Sequence, residues 1–307
     1  MDDGVAAMLR TLNDSFPRVE RMSAGEARAA VAARRQPTSN VEDAASEDRA
    51  VDTADGVAIP VRIYRPRGTG EALSPGVVFL HGGGFVLCDI ESHDGFCRAM
   101  SRHTGAVVVS VGYRLAPEHP FPAALDDAVA ATCWAHANAA TLGCSADRLA
   151  VGGDSAGANL AIVVCHLHPV PLRYQLLVYP ATDLTRRFPS HIENAAGPSL
   201  TTQAMDWFIR HYAGGYDTLA DSRLSPHFAA DDVVAASPPT LVITAEYDPL
   251  RDEGDAYAAR LASLGVPTSH VRFSGMYHGF FGMADFLDDA LAANNLAGVA
   301  LGRALSR

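Results

Sequence analysis

Ser155 stands between two glycines in Gly153-Asp154-Ser155-Ala156-Gly157. The apolar run before it, Leu149-Ala150-Val151-Gly152, reads as a short buried strand, and Ala158 to His168 reads as a helix. A serine at a strand-to-helix turn, with glycine two residues away on either side, has the spacing of a nucleophile elbow. Such a turn holds the serine in a strained backbone conformation, and side chains at the flanking positions would collide with the neighbouring strand and helix. A serine hydroxyl is a poor nucleophile at neutral pH. It needs an imidazole to take its proton and a carboxylate to orient that imidazole.

The acid and base must sit on loops just past strand C-termini, because only those loops reach the edge that carries the elbow. With this elbow they follow the serine in the order acid, then histidine. Asp248 meets the requirement, a short turn after the strand expected at Thr240–Ala245. Glu246 lies nearer the strand end, whereas Asp252 and Glu253 read as acidic residues opening the next helix. His278 follows the strand expected at His270–Phe273, with Gly279 behind it leaving room for the ring. An acyl-transfer intermediate also needs donors for its oxyanion. The N–H of Ala156 is one source, and the glycine loop His81-Gly82-Gly83-Gly84 after the strand Gly76–Leu80 is the other. His166 and His168 have no third partner for a metal, so no metal site is expected.

The elements that position these groups alternate. Strands are expected at Val57–Tyr64, Gly76–Leu80, Ala106–Val111, Leu149–Gly152, Leu176–Tyr179, Thr240–Ala245 and His270–Phe273. Helices are expected at Ala123–His136, Ala158–His168, Glu253–Leu264 and Phe286–Leu305. That pattern predicts an α/β protein with a mostly parallel sheet covered on both faces. Residues 1 to 35 read as helical, with Met8, Leu9 and Leu12 as an apolar face and a capping box at Ser23–Glu26, and residues 36–47 read as a polar linker. The segment 184–236 interrupts the alternation and carries a helix, Thr201–Tyr212, rich in large side chains. An insertion after a strand's C-terminal end falls on the active-site side. It and the N-terminal helices (1–45) are expected to cap a catalytic domain made of 46–183 and 237–307. Phe85, Trp207, Phe208 and Tyr212 are the candidates for an apolar acyl pocket.

Composition narrows the function. A chain of 307 residues suffices for one large domain with a small lobe. A net charge of −11 disfavours nucleic acid and anionic membranes as partners. All 24 basic residues are arginine, which excludes Schiff-base lysine chemistry and a phosphate-loop lysine. No apolar run reaches the roughly 18 residues of a membrane span. Residues 1–4 are acidic and do not resemble a secretory leader, so a cytoplasmic chain is expected. Five cysteines (Cys88, Cys97, Cys133, Cys144 and Cys165), an odd number without a C-x-x-C, point to inert reduced thiols.

The chain resembles the hormone-sensitive-lipase-like esterases of the α/β-hydrolase superfamily. The resemblance rests on His81-Gly82-Gly83-Gly84-Phe85, Tyr113-Arg114-Leu115-Ala116-Pro117-Glu118-His119-Pro120-Phe121-Pro122-Ala123, Gly153 to Gly157, Asp248-Pro249-Leu250-Arg251-Asp252-Glu253-Gly254 and His278-Gly279-Phe280. It implies an α/β-hydrolase fold of about eight strands with a helical cap, and a triad of Ser155, Asp248 and His278. It also implies an oxyanion hole formed by Gly83, Gly84 and Ala156, with Gly82 a lesser candidate and Arg114 and Glu118 structural. One departure is the brief connection His166–Leu172, where relatives carry a longer polar loop. The expected function is cofactor-independent hydrolysis of short- to medium-chain acyl esters, with a homodimer consistent with the family. An amidase or deacetylase on the same triad is the alternative, and a repurposed ligand-binding protein a remoter one.

Overall fold

The computed structural model describes residues 17–35, 38, 41–68, 72–185, 187–214 and 217–306. The apolar face expected at Met8, Leu9 and Leu12 lies outside the described residues. Eight strands form one sheet: β1 Ala44–Asp52, β2 Ala58–Pro66, β3 Ser74–Leu80, β4 Val107–Val111, β5 Cys144–Asp154, β6 Tyr174–Val178, β7 Thr240–Tyr247 and β8 Thr268–Tyr277. Their order is β1-β2-β4-β3-β5-β6-β7-β8. β1 pairs antiparallel with β2, and β2 with β4; every later pair is parallel. The principal helices are α1 Ala24–Ala32, α2 Asp94–Thr104, α3 Ala123–Ala137, α4 Ala156–Leu167, α5 Ser190–Glu193, α6 Thr202–Ala213, α7 Arg251–Ser263 and α8 Asp288–Leu305.

The central strands are apolar almost throughout because both faces are covered. Alternation then only divides residues between two layers. Val78, Leu80, Val109 and Val151 pack towards α3 and α4, whereas Val77, Phe79, Val108 and Ala150 pack with residues of α2 and α8. β3 to β7 end on one edge, so the loops after their C-termini share a single rim.

Two expectations need correction. β1 begins at Ala44, inside the segment read as a linker, and pairs with β2 over its whole length. Its sequence, Ala-Ala-Ser-Glu-Asp-Arg-Ala-Val-Asp, shows little alternation because it is an edge strand exposed along most of its residues. Helix α2 was not expected at all. It does carry a buried stripe through Cys97, Met100 and Ser101, and Gly105 ends it in the left-handed region at φ 66°. The capping box is present as read: Ser23 caps the Glu26 N–H, and the Glu26 carboxylate accepts from the Ser23 N–H at 2.8 Å. The connection from α4 to β6 is only residues 168–173.

The region 184–236 holds α5, α6 and a short helix at Asp231–Ala235. It meets the N-terminal segment directly, since Trp207 Nε1 donates to the Met22 carbonyl at 3.1 Å. Arg28 on α1 reaches the body. Its Nε donates to Val86 O at 2.8 Å, one Nη to Ala116 O at 2.6 Å, and the guanidinium grips Glu118 with both Nη nitrogens.

Candidate active site

The end of β5 turns into α4 at Ser155, whose φ of 54° and ψ of −117° place it outside the ordinary L-residue regions. The turn is held from all sides. Ser155 N donates to Val178 O at 2.8 Å, and its carbonyl accepts from Asn159 N at 3.1 Å and Ala181 N at 3.4 Å. A Cβ on Gly153 would lie 2.6 Å from Leu80 O, and one on Gly157 the same distance from His81 O. Neither backbone can yield, which is why both positions are glycine.

His278 follows β8 and Asp248 follows β7. His278 Nε2 lies 3.0 Å from Ser155 Oγ, and its Nδ1 lies 2.7 Å from Asp248 Oδ2. The other oxygen of Asp248, which is wholly buried, accepts from Leu250 N at 2.8 Å. The three side chains chosen from the sequence therefore form one hydrogen-bonded row. Glu246 does something different: it accepts from Gly275 N at 2.6 Å and secures the irregularity in β8. Gly279 needs another reason than the one read from sequence. A Cβ there would meet nothing nearer than Ser199 Oγ at 3.6 Å, so room is not the issue; its φ of +89° is.

The glycine loop bends over the same rim. Gly83 and Gly84 have φ of +113° and +61°. The Gly83 carbonyl is turned away, accepting from Val86 N and Leu87 N at 3.1 and 2.8 Å. No described residue accepts from the N–H groups of Gly83, Gly84 or Ala156. Gly82 differs, because its N–H donates to Asp154 Oδ1 at 2.8 Å, and that use withdraws it from any oxyanion. Asp154 is the elbow residue whose role the sequence did not disclose. It also meets His93 Nε2 at 3.1 Å. Burial opposes its ionisation, but the His93 imidazole and the Gly82 N–H outweigh burial and hold its carboxyl below the ordinary value. Burial likewise opposes charge on His93, yet Asp154 raises its pKa overall. His81 is not a base for the reaction. It is stacked on Tyr113 at 4.2 Å and burial lowers its pKa to about 4.

These groups open into a cleft of about 980 Å³, whose lining includes Gly83, Gly84, Phe85, Ser155, Phe208 and Tyr212. Phe208 packs so tightly on Gly84 that a Cβ there would overlap its ring. Phe85 and Tyr212 are stacked at 3.7 Å. Trp207, the fourth aromatic expected in the pocket, is not among the residues lining it: it is buried between the Met22 carbonyl and the His211 ring. Tyr179, not singled out from sequence, lines the cleft with its ring 4.6 Å from that of His278. Its place at the end of β6, on the rim, was the available signal.

Other expected groups lie elsewhere. Arg114 grips the buried Asp127, and Glu118 pairs with Arg28. His166 meets Tyr257 OH at 3.0 Å. Among the described residues no group of three or more histidine, cysteine or acidic side chains could hold a metal ion. All five cysteines are free, and burial pushes the thiol of Cys88, beside the glycine loop, up to about 12. No described helix is long and apolar enough to cross a membrane.

A family model for the α/β-hydrolase fold matches residues 77–282. The chain belongs to the α/β-hydrolase family. The hormone-sensitive-lipase-like branch, read from the motifs, is supported as well. Two curated hydrolases of this family are similar along most of the chain. Carboxylesterase NlhH of Mycobacterium tuberculosis is 39% identical over 308 residues, covering 97% of this chain and 95% of its own. An ethyl acetate hydrolase of Pseudomonas putida is 38% identical over 251 residues, covering 79% and 78%. Among solved hydrolases, a hyperthermophilic esterase from the archaeon Pyrobaculum calidifontis superposes with a TM-score of 0.89 at 38% identity, covering 99% of this chain and 98% of that one.

Proposed function

We propose that the protein is a serine carboxylesterase acting on esters of short to medium acyl chains, with Ser155 as nucleophile, His278 as base and Asp248 as the orienting acid. The observation that carries this reading is the unbroken row from Asp248 Oδ2 through His278 to Ser155 Oγ, at 2.7 and 3.0 Å, on a strained turn facing the cleft. Ser155 Oγ attacks the ester carbonyl as His278 Nε2 takes its proton. The developing oxyanion is received by the N–H groups of Gly83, Gly84 and Ala156, which need no reorganisation to point at it. The alcohol leaves with the proton from His278, and water releases the acid by the reverse sequence. Asp248, bound to Nδ1 of the ring, fixes the imidazole's orientation and tautomer.

Phe208 over Gly84 limits the room beside the reacting carbonyl, and the ester named for the P. putida relative is a short one; both support a small acyl group. The N-terminal segment and 184–236 act as the cap. Cytoplasmic location and a homodimer belong to the same reading; sedimentation tests the latter. The test of the reaction is a panel of 4-nitrophenyl esters from acetate to palmitate. Turnover should be best on the short members and fall by several orders of magnitude in Ser155→Ala. Best turnover on palmitate overturns the chain-length part, and full activity in Ser155→Ala overturns the mechanism. Matched amides tested beside the esters decide against an amidase.

A further inference from the structure

Helix α5 lies in the insertion, far in sequence from the loop that carries Asp248, yet it is bound to that loop residue by residue. Ser190 Oγ donates to Pro249 O at 2.6 Å, and Ser190 N donates to Asp252 Oδ2 at 2.9 Å. Asn194 Nδ2, one residue past α5, donates to Asp248 O at 3.1 Å. Arg251 reaches back to Glu193 at 2.7 Å. His191 Nε2 lies 2.6 Å from Glu253 Oε2, while Glu253 Oε1 accepts from Thr182 N and Asp183 N just before the insertion. Ser190 and Glu253 are completely buried.

We propose that Ser190 and Asn194 are positioning residues for the hydrolysis, setting the loop conformation in which Asp248 meets His278. The inference rests on reading Asp248 as the acid of the triad. One oxygen of the Asp248 carboxylate serves His278 and the other the Leu250 N–H, so the carboxylate has no further anchor of its own. What fixes its direction is the backbone of 248 and 249. The carbonyls of these two residues each receive a donor from the Ser190–Asn194 stretch. The insertion is thus a cap whose first helix is part of the frame that holds the acid. Misplacing a catalytic group by about 1 Å lowers turnover by roughly 10²-fold. Asp248 O also accepts from Arg251 N at 3.1 Å, so removing one donor of the Ser190–Asn194 stretch should cost only part of that, about tenfold.

The test compares Asn194→Ala, Ser190→Ala and, as a control on the exposed side of the same helix, Ile192→Ser. Three readouts are taken: kcat and KM on a 4-nitrophenyl ester, the thermal melt, and the low-field proton signal of the His278–Asp248 hydrogen bond. The expected result for Asn194→Ala and Ser190→Ala is kcat lower by about tenfold, KM within about twofold of the parent, and a shifted or weakened low-field signal in folded protein. Ile192→Ser should change none of them. If Ser190→Ala does not fold, Asn194→Ala decides alone, since its side chain is only partly buried. An unchanged kcat and signal overturn the proposal, and so does a loss carried by KM with the signal intact. Labelling of wild-type Ser155 by a fluorophosphonate is run alongside. Its failure would sink the esterase reading, whereas the proton signal reports on the loop independently.

Discussion

Gly84→Ala should cripple the enzyme, and Phe208→Ala should restore much of what is lost. Gly84 sits at φ +61°, where an L-residue is strained by roughly 1–2 kcal/mol. That alone is survivable. The larger effect is steric: a Cβ would come within 2.7 Å of Phe208 Cε1, and closer still to Cδ1 and Cγ, against the roughly 3.5–4.0 Å that two carbons prefer. Either the ring or the loop must move by about an ångström. The ring, a partly buried side chain of α6, is packed against the core, and the loop is held through Gly82 to Asp154 and through the Gly83 carbonyl. A shift of the loop carries the Gly84 N–H away from its proposed place at the oxyanion, and loss of one such donor lowers kcat by about 10²–10³-fold, or about 2.7–4 kcal/mol. Removing the ring removes the obstacle and leaves only the backbone strain. The assay is a double-mutant cycle in kcat on 4-nitrophenyl butyrate, with active sites counted by titration. Gly84→Ala in the Phe208→Ala background should lower kcat at least about tenfold less than it does in the parent. Gly83→Ala gives the contrast. Its Cβ would run into the backbone of Leu87, within 2.7 Å of the carbonyl carbon, which no change at Phe208 relieves. Gly84→Ala retaining a third of parental activity, or a double variant no better than Gly84→Ala, refutes the argument.

Two further outcomes follow from the contacts around the loop. The Asp154–His93 pair stabilises the fold through both partners. Asp154, with its pKa lowered, contributes above the unfolded carboxylate range and loses that contribution as pH falls through its folded value. His93, with its pKa raised, contributes fully below the ordinary imidazole value of 6.5 and loses it as pH rises through its folded value. Melting temperature should therefore decline as pH rises above 6.5, and His93→Gln should flatten that decline; equal slopes in the two proteins would count against the pair. On the outer side, Arg28→Ala should destabilise by about 2 kcal/mol because it removes charged hydrogen bonds to two carbonyls. Glu118→Gln should cost less than about 1 kcal/mol, since that carboxylate is 55% exposed. Urea melts giving the reverse ranking would show that the ion pair, and not the carbonyl contacts, holds the N-terminal segment.

The proposed reacting groups were legible because their positions are dictated by local rules. A strained serine needs small neighbours, and acid and base must follow strand ends, so Ser155, Asp248 and His278 could be chosen by residue type and place alone. The groups that orient them were not. Asp154 looks like an arbitrary residue of the elbow until the fold brings Gly82 and His93 beside it from 72 and 61 residues away (154 − 82 and 154 − 93). Ser190 and Asn194 are ordinary polar residues whose partners lie on another loop. The aromatics of α6 were half legible. Met205, Phe208 and Tyr212 fall at i, i+3 and i+7 on one face and all line the cleft, while Trp207 is off that stripe and turns to Met22. Helical spacing separates the two groups; it does not say which faces the substrate. Strand β1 was hidden because an exposed edge imposes little demand on side-chain type.

The strain at Ser155 has to be held by something stronger than itself, and Asn159 is where that support can be tested. Holding a residue in such a conformation costs about 1–3 kcal/mol. The backbone bonds of Ser155 to Val178, Asn159 and Ala181 contribute roughly 0.5–1.5 kcal/mol each, so together they match or exceed the strain. The bond from Ala181 is the long one, and its segment is kept in place from behind. Asn159 Nδ2, wholly buried, donates to Ala181 O and Leu224 O, both at 2.8 Å. One amide on α4 therefore ties the turn after β6 to the far end of the insertion while its own N–H braces the elbow. Asn159→Ala leaves two buried carbonyls unpaired, and at about 1–3 kcal/mol each the loss should reach about 2–6 kcal/mol. It should also lower kcat in protein that is still folded, because the elbow loses part of its backing. Denaturant melts measure the first effect and titrated turnover the second. A variant destabilised by the full amount yet turning over at the parental rate would mean that the backbone bonds to Val178 and Asn159 suffice, and that the insertion has no hand in holding the nucleophile.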